Sequence, residues 1–263
     1  MSMKTPLPLL VFTDLDGTLI SHDTYEWDAA APALASLRDI GAGVVLASSK
    51  TAAEIITLRQ ALGLERWPAI VENGAGLLAP HSTVLPDNAA YLLVRQLLND
   101  TPPKGRDQYR GFGDMTAAEI AEITGLDPDA AARAAQRAFS EPGLWSGEPS
   151  ELDEFLSELA QKGIMAREGG RFLTLSLGKT KADQMADIIA QYQPFQTVAL
   201  GDAPNDVEML ETADLGIIIA NPHNAPLPVL KGEATGRITR TTRTGPEGWN
   251  AAMLDLLARL NLT

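Results

Sequence analysis

A few carboxylates, one hydroxyl and a few lysines draw attention by where they fall in the chain. Asp14 and Asp16 are one residue apart in "LLVFTDLDGTLI", directly after an apolar run, and Gly17 and Thr18 follow at once. A second acidic group, Asp202 with Asn205 and Asp206 in "ALGDAPND", also follows an apolar run. Between the two come Ser48 at the end of "VVLASSK", Lys50 two residues on, and Lys179 after Gly178 at the start of a helical stretch. Aspartate, asparagine and glycine also build turns and helix caps, and each cluster taken alone fits that role. Four carboxylates brought together, however, repel one another unless a cation lies among them. An oxygen-rich set without histidine or cysteine suits Mg²⁺. A hydroxyl and ammonium groups beside it suit a small anion. A lysine in a helix's first turn opposes the helix dipole, which hints at a task other than helix stability.

The elements that must position these groups are read from hydrophobic patterning. "LPLLVFTDL" is a strand, residues 28–40 a helix, "VVLASS" a second strand, "TAAEIITLRQAL" a helix ending at Gly63, and "AIVENG" a third buried strand. The alternation returns near the end. "KTKADQMADIIAQY" is a helix, "QTVALGD" a strand, "APNDVEMLETA" a helix, "DLGIIIAN" a strand and "EGWNAAMLDLLARL" the closing helix. Alternating strands and helices build a parallel sheet, in which ligands lie beyond the carboxyl ends of the strands. All four polar clusters fall at such positions.

The middle reads differently. Residues 88–100 form an amphipathic helix, 101–114 a Gly- and Pro-containing loop, and 116–124 and 127–139 two alanine-rich helices. A helix over 149–163 then leads into "IMAREGG" and "RFLTLSL", two strands joined at Gly169-Gly170. The expected architecture is α/β: a Rossmann-like parallel-sheet core from residues 1–84 and 179–263, with an α+β domain, 85–178, inserted.

Charge and composition narrow the function classes. A net charge of −13 argues against nucleic acid or an anionic membrane as partner, because neutralising phosphates is the main source of such affinity. The absence of cysteine removes disulfides, thiolate metal sites and cysteine nucleophiles. No apolar run is long enough to span a membrane, and "MSMKTPLPLL" lacks the features of a secretory signal, so a cytoplasmic protein is expected.

Asp14, Asp16, Gly17 and Thr18, then Ser48, then Lys179, then Gly201, Asp202, Asn205 and Asp206 resemble, in order and context, the four motifs of the haloacid dehalogenase-like phosphohydrolases. The inserted domain resembles the α+β cap of the branch that mostly hydrolyses sugar phosphates. "SSKTAAE", "VENGA", "GFGDMTAAEIAEITGL", "EGGRFLTL" and "RTGPEGW" are similar to the mannosyl-3-phosphoglycerate phosphatase family over nearly the whole chain. One departure concerns the third motif: Thr180 and Lys181 follow Lys179 where capped relatives often have glycine, so either lysine can face the phosphate. Alignment on Ala182 favours Lys179.

The resemblance implies a Mg²⁺-dependent phosphatase that releases a glycosylglycerate from mannosyl- or glucosyl-3-phosphoglycerate, a small phosphorylated glycoside. It implies that Asp14 is the nucleophile that forms an aspartyl-phosphate and that Asp16 is the general acid and base. It further implies Asp14, Asp202 and the backbone carbonyl of Asp16 as metal ligands ordered by Asp206, and Ser48 and Lys179, with help from Lys50, as phosphate ligands. The hairpin residues Arg167, Gly169, Gly170 and Arg171 are candidates for the sugar and glycerate, which need cationic and hydrogen-bonding groups. Trp249 reads as a core or helix-anchoring aromatic. A broader sugar-phosphate phosphatase is the nearer alternative. A non-catalytic metabolite-binding protein on the same fold is the more distant one, and it has no evident need for Asp16.

Overall fold

The computed structural model describes residues 7–22, 24–169 and 171–262. In chain order the strands are β1 (Leu10–Thr13), β2 (Gly43–Ala47), β3 (Ala69–Val71), β4 (Gly76–Leu78), β5 (Tyr109–Gly111), β6 (Ser140–Trp145), β7 (Met165–Gly169), β8 (Phe172–Ser176), β9 (Thr197–Gly201), β10 (Leu215–Ala220) and β11 (Ile238–Thr244). The helices are α1 (Ala31–Asp39), α2 (Ala52–Ala61), α3 (Ala89–Asn99), α4 (Pro103–Arg106), α5 (Ala117–Thr124), α6 (Pro128–Ala134), α7 (Pro149–Gln161), α8 (Lys181–Tyr192), α9 (Val207–Thr212) and α10 (Gly245–Arg259). The chain divides into two compact units, one of Met1–Ser48, Arg66–Ile70 and Lys181–Thr263, the other of Ser49–Glu65 and Val71–Thr180. No helix among the described residues is long and apolar enough to cross a membrane.

The first unit is built on a parallel sheet in which β11, β10, β9, β1, β2 and β3 lie side by side in that order. Its central strands are buried from end to end, as expected of parallel strands covered on both faces. The chain runs outward from β1 to β2 and β3, then returns to lay β9 on the other side of β1. Strand order therefore reverses at β1. That reversal opens a crevice at the strand's carboxyl end, the usual ligand position in such sheets, and Asp14 is the residue that follows.

The second unit carries an antiparallel sheet in the order β5-β6-β8-β7. Val94, Leu98, Phe155 and Leu159 from α3 and α7 pack against Tyr109, Leu173 and Leu175 of this sheet. Thr51 and Thr116 start α2 and α5 with reciprocal capping boxes to Glu54 and Glu119, the pattern legible in "TAAE" at both places. Parallel core and α+β insert together are the expected fold class.

Several elements differ from their sequence reading. The stretch 101–114, read as loop, contains α4 and β5, and the helix read over 127–139 stops at Ala134. Residues 140–145 form β6 although Pro142 and Gly143 argue against a strand there. Gly143 is required because a Cβ would lie 2.4 Å from the Tyr109 ring. β4 and β11 were also not anticipated. After Ile238, β11 carries threonine and arginine instead of an apolar run, because it lies at the sheet edge beside β10.

The glycines of "GFGD" have a packing cause. A Cβ on Gly111 would meet Glu141 Oε1 at 2.0 Å, and one on Gly113 would meet the Tyr91 hydroxyl at 2.5 Å. Glu141 is fully buried, accepts from Gly113 N at 2.8 Å and pairs with Arg95 at 2.7 Å. Arg95 also pairs with Asp114 at 2.6 Å. Burial pushes the Glu141 carboxyl up, partly offset by the Gly113 amide and Arg95. Arg95→Met should therefore destabilise the protein by about 2 kcal/mol at neutral pH, below the cost of breaking a fully buried pair because Arg95 is partly exposed. The abandoned carboxylate is the source of that deficit. Protonation relieves it, so the deficit should shrink as pH falls through the raised Glu141 pKa, read as converging urea midpoints of variant and wild type.

Candidate active site

Asp14 continues the strand by donating its amide to Leu200 O at 2.9 Å. The chain then turns sharply, with Gly17 at φ +80° and Ile20 N returning to Leu15 O at 2.9 Å. Gly17 is needed twice over, because a Cβ there would also lie 2.4 Å from the Asn221 amide nitrogen. Behind the turn, the Trp249 indole N–H donates to Thr13 Oγ1 at 3.0 Å, and the Thr13 hydroxyl donates to the Asp14 carbonyl at 2.8 Å. Trp249, wholly buried, thus packs α10 in the core and also braces the strand end that carries Asp14.

The second acidic cluster lies beyond the adjacent strand, β9. Asp202 Oδ1 accepts from the Thr18 hydroxyl at 2.6 Å, and its Oδ2 accepts from Asn221 at 2.8 Å and Asn224 at 3.0 Å. Asp206 Oδ2 accepts the amides of Asp202 and Ala203, each at 3.1 Å. Gly201 leaves room for that carboxylate, since a Cβ there would lie 2.5 Å from Asp206 Cβ. One carboxylate oxygen from each of Asp14, Asp202 and Asp206 falls within 4.8 Å of the others, and all three residues are buried.

Lys181 enters this cluster. Its Nζ donates to Asp14 Oδ1 at 2.6 Å and to Asp206 Oδ1 at 2.7 Å, and the residue is only 2% exposed. Burial alone would lower the Lys181 pKa, but the charges of Asp14 and Asp206 outweigh it and hold the ammonium above the ordinary lysine value. Burial, then Asp206, raises the Asp14 carboxyl well above the usual range despite Lys181, and Asp202 adds to the rise. Asp202 is raised as well, by burial and then by Asp206, against the hydrogen bonds from Thr18, Asn221 and Asn224. Three carboxylates against one ammonium leave two negative charges, which a divalent cation with oxygen ligands would balance.

Residues 11–99 and 144–231, well over half the chain, match the haloacid dehalogenase-like hydrolase family. The chain belongs to that family. Solved structures of similar fold span the whole molecule. A haloalkanoate-superfamily phosphatase, BT1666 from Bacteroides thetaiotaomicron, is 17% identical, with 100% of both chains covered and a TM-score of 0.68. The subclass IIB sugar phosphatase BT4131 is 16% identical over 97% of this chain and 99% of that one, with a TM-score of 0.64. The sucrose-phosphatase of Synechocystis sp. PCC6803, solved with sucrose and phosphate, is 16% identical over 97% and 98%, with a TM-score of 0.62.

In this hydrolase the structure brings Asp14, Asp202 and Asp206 together and adds Lys181, whereas Lys179 is exposed. Asp16 forms a bridge with Ile20 across the turn. Ser48 is buried directly after β2, the other neighbour of β1, and its amide donates to Ile70 O at 3.0 Å. In the second unit, Lys50 lies 3.9 Å from Glu54. Arg167 and Gly169 are half-buried, while Arg171 donates to Ile123 O at the end of α5 and lies over the Phe172 ring. Gly170 falls outside the described residues. Arg240 is held by Glu233. Asn221 and Asn224, which hold Asp202, were not singled out from sequence. Their signal was the pair of asparagines after the apolar run in "IIIANPHN".

Proposed function

We propose that this hydrolase is a Mg²⁺-dependent phosphatase that converts mannosyl-3-phosphoglycerate, or its glucosyl counterpart, to the glycosylglycerate and phosphate. The observation that carries the chemistry is the buried constellation of Asp14, Asp202, Asp206 and Lys181 at the sheet's reversal point. Three oxygen donors without histidine or cysteine fit a hard divalent cation, with Asp14, Asp202 and the Asp16 carbonyl as ligands and Asp206 ordering them. When bound, Mg²⁺ offsets the repulsion between the Asp14 carboxylate and an anionic phosphoryl group.

Asp14 attacks phosphorus, and the bond from phosphorus to the leaving oxygen breaks as Asp16 delivers its proton to that alkoxide. Asp16 then takes a proton from the water that attacks the aspartyl-phosphate, which frees Asp14 and releases phosphate. Ser48 and Lys181 bind the transferring group, with Lys50 as a further cation. Residues 85–178 serve as the specificity cap and residues 1–84 and 179–263 as the catalytic core. Within the cap, Arg167, Gly169, Gly170 and Arg171 are the substrate candidates. The similarity of "GFGDMTAAEIAEITGL" and "EGGRFLTL" to the mannosyl-3-phosphoglycerate phosphatase family supports this substrate. The sugar phosphatases among the similar structures support a phosphorylated sugar more broadly.

Phosphate release with and without Mg²⁺, from both glycosylated 3-phosphoglycerates, 3-phosphoglycerate and simple sugar phosphates, tests the reading. A strong preference for the glycosylated acids is expected. Equal turnover across the panel would leave a general sugar-phosphate phosphatase, and no turnover would favour a binding protein. Mg²⁺ should also raise the thermal midpoint without substrate. Protons compete for Asp14 and Asp202, whose pKa values are raised, so this gain should grow as pH rises through those values and vanish in acid. A pH-independent gain would place the cation elsewhere.

A further inference from the structure

The hydrogen bonds that Asp202 already accepts decide how much of it is left for a cation. An ionised carboxylate has about four lone-pair sites, two on each oxygen. Oδ2 of Asp202 accepts from Asn221 Nδ2 at 2.8 Å and from Asn224 Nδ2 at 3.0 Å, which uses both of its sites. Oδ1 accepts from the Thr18 hydroxyl at 2.6 Å and keeps one site open. One lone pair of Asp202 therefore remains. Asp206 has the same asymmetry: its Oδ2 accepts the amides of Asp202 and Ala203, and its Oδ1 accepts from Lys181.

The two asparagines are held in place for this contact. They come from the segment after β10, within the same compact unit as Asp14 and Asp202. Asn221 turns that segment by accepting the His223 amide at 2.9 Å through its Oδ1, which leaves its NH₂ group for Asp202. Gly17 clears the room, since a Cβ there would lie 2.4 Å from Asn221 Nδ2 and 3.4 Å from Asp202 Oδ2. The His223 ring stacks on His22 with centroids 4.4 Å apart, which ties the segment to the chain that follows the Gly17 turn.

We propose that Asn221 and Asn224 are specificity-determining residues for the cation: by filling one oxygen of Asp202 they restrict it to single-oxygen contact and so disfavour Ca²⁺ against Mg²⁺. The inference rests on Mg²⁺ being the cation at this site. Mg²⁺ takes an octahedral shell at about 2.0–2.1 Å and keeps several waters, so one oxygen from a carboxylate suffices. Ca²⁺ takes roughly six to eight oxygens at about 2.3–2.6 Å and gains from carboxylates that bind through both. Neutral carboxamides impose this limit without adding a charge to the cluster. On Asp206 the limit comes from backbone amides, so the asparagines are the part that side-chain substitution reaches.

Calorimetric titration of the metal-free protein with Mg²⁺ and with Ca²⁺, without substrate, tests this on wild type, Asn224→Ala and the double variant Asn221→Ala/Asn224→Ala. Freeing Oδ2 makes Asp202 a stronger ligand for both ions, so the readout is the ratio of the Ca²⁺ Kd to the Mg²⁺ Kd, in which that common gain cancels. The ratio should fall by roughly tenfold in Asn224→Ala, the low end of what outer partners of a metal ligand contribute, and further in the double variant. A merely structural role would weaken both ions together. An unchanged ratio, or one that rises, therefore overturns the inference. Asn224 is exposed, so the single variant decides the matter even where the double variant does not fold. Asp202→Asn, titrated in the same way, separates the two readings. If wild type and Asp202→Asn take up Mg²⁺ alike, or neither does, the Mg²⁺ site itself is wrong and this inference falls with it. If only wild type takes it up and the asparagine variants keep the wild-type ratio, the inference alone fails.

Discussion

Asp14→Asn is expected to abolish phosphate release, with kcat falling by on the order of 10⁴ or more, while the protein stays folded. An amide cannot form the acyl phosphate, and it is a poorer ligand for a hard cation, so nucleophile and metal site are weakened together. Stability should move the other way. Asp14 is 8% exposed, and burial first, then the charges of Asp206 and Asp202, push its pKa up. Removing one of three crowded carboxylates relieves that repulsion, and Lys181 keeps Asp206 as partner at 2.7 Å. The metal-free variant should therefore melt at or above the wild-type temperature, and the stabilisation by Mg²⁺ should shrink. Phosphate release and thermal melting on the same sample separate the two effects, and normal turnover would remove Asp14 from the role of nucleophile.

Lys181→Met should cost kcat about 10²–10³, the scale of removing one preorganised charge from a developing anion, while Lys179→Met should change it by less than about threefold. The contrast follows from position. Lys181 is buried against Asp14 and Asp206, and Lys179 is exposed. Methionine fills most of the lysine volume but leaves two carboxylates without their ammonium, so the metal-free variant should also lose stability, about 3 kcal/mol at neutral pH. Lys181 lowers the Asp14 pKa in the wild type, so without it Asp14 takes up a proton at higher pH than before. The stability deficit should accordingly close as pH falls, because protonation replaces the missing cation. Turnover and urea unfolding across pH check both parts, and a larger activity loss in the Lys179 variant would return the phosphate contact to that residue.

Much of this was legible without coordinates. Apolar runs ending in Asp14, Ser48 and Asp202 marked buried parallel strands with polar ends, because a strand covered on both faces must be apolar along its length and can turn polar only where it leaves the sheet. The capping patterns of α2 and α5 were equally local, since a threonine and a glutamate three residues apart satisfy each other's backbone. Lys179 against Lys181 could not be settled that way. In "GKTKAD" the two lysines share nearly the same neighbours, and only the path of the chain into α8 buries the second between Asp14 and Asp206.

The same holds where a residue's reason lies far along the chain. Gly111 and Gly113 are glycines because Glu141 and Tyr91 occupy the space of their side chains, and Pro142 sits in a strand opposite Thr174 of β8, one residue beyond Gly143, where the pairing with β5 ends. Asn221 reaches Asp202 across the ends of adjacent strands, and Glu72 finds its donors in residues 138–140. Local pattern thus determined which elements form and which ends turn polar, because burial and capping act between neighbours in sequence. Tertiary structure decided which ammonium meets which carboxylate and which left-handed turn is held, because those energies depend on distances of a few ångströms between residues that sequence separates by tens to hundreds of positions.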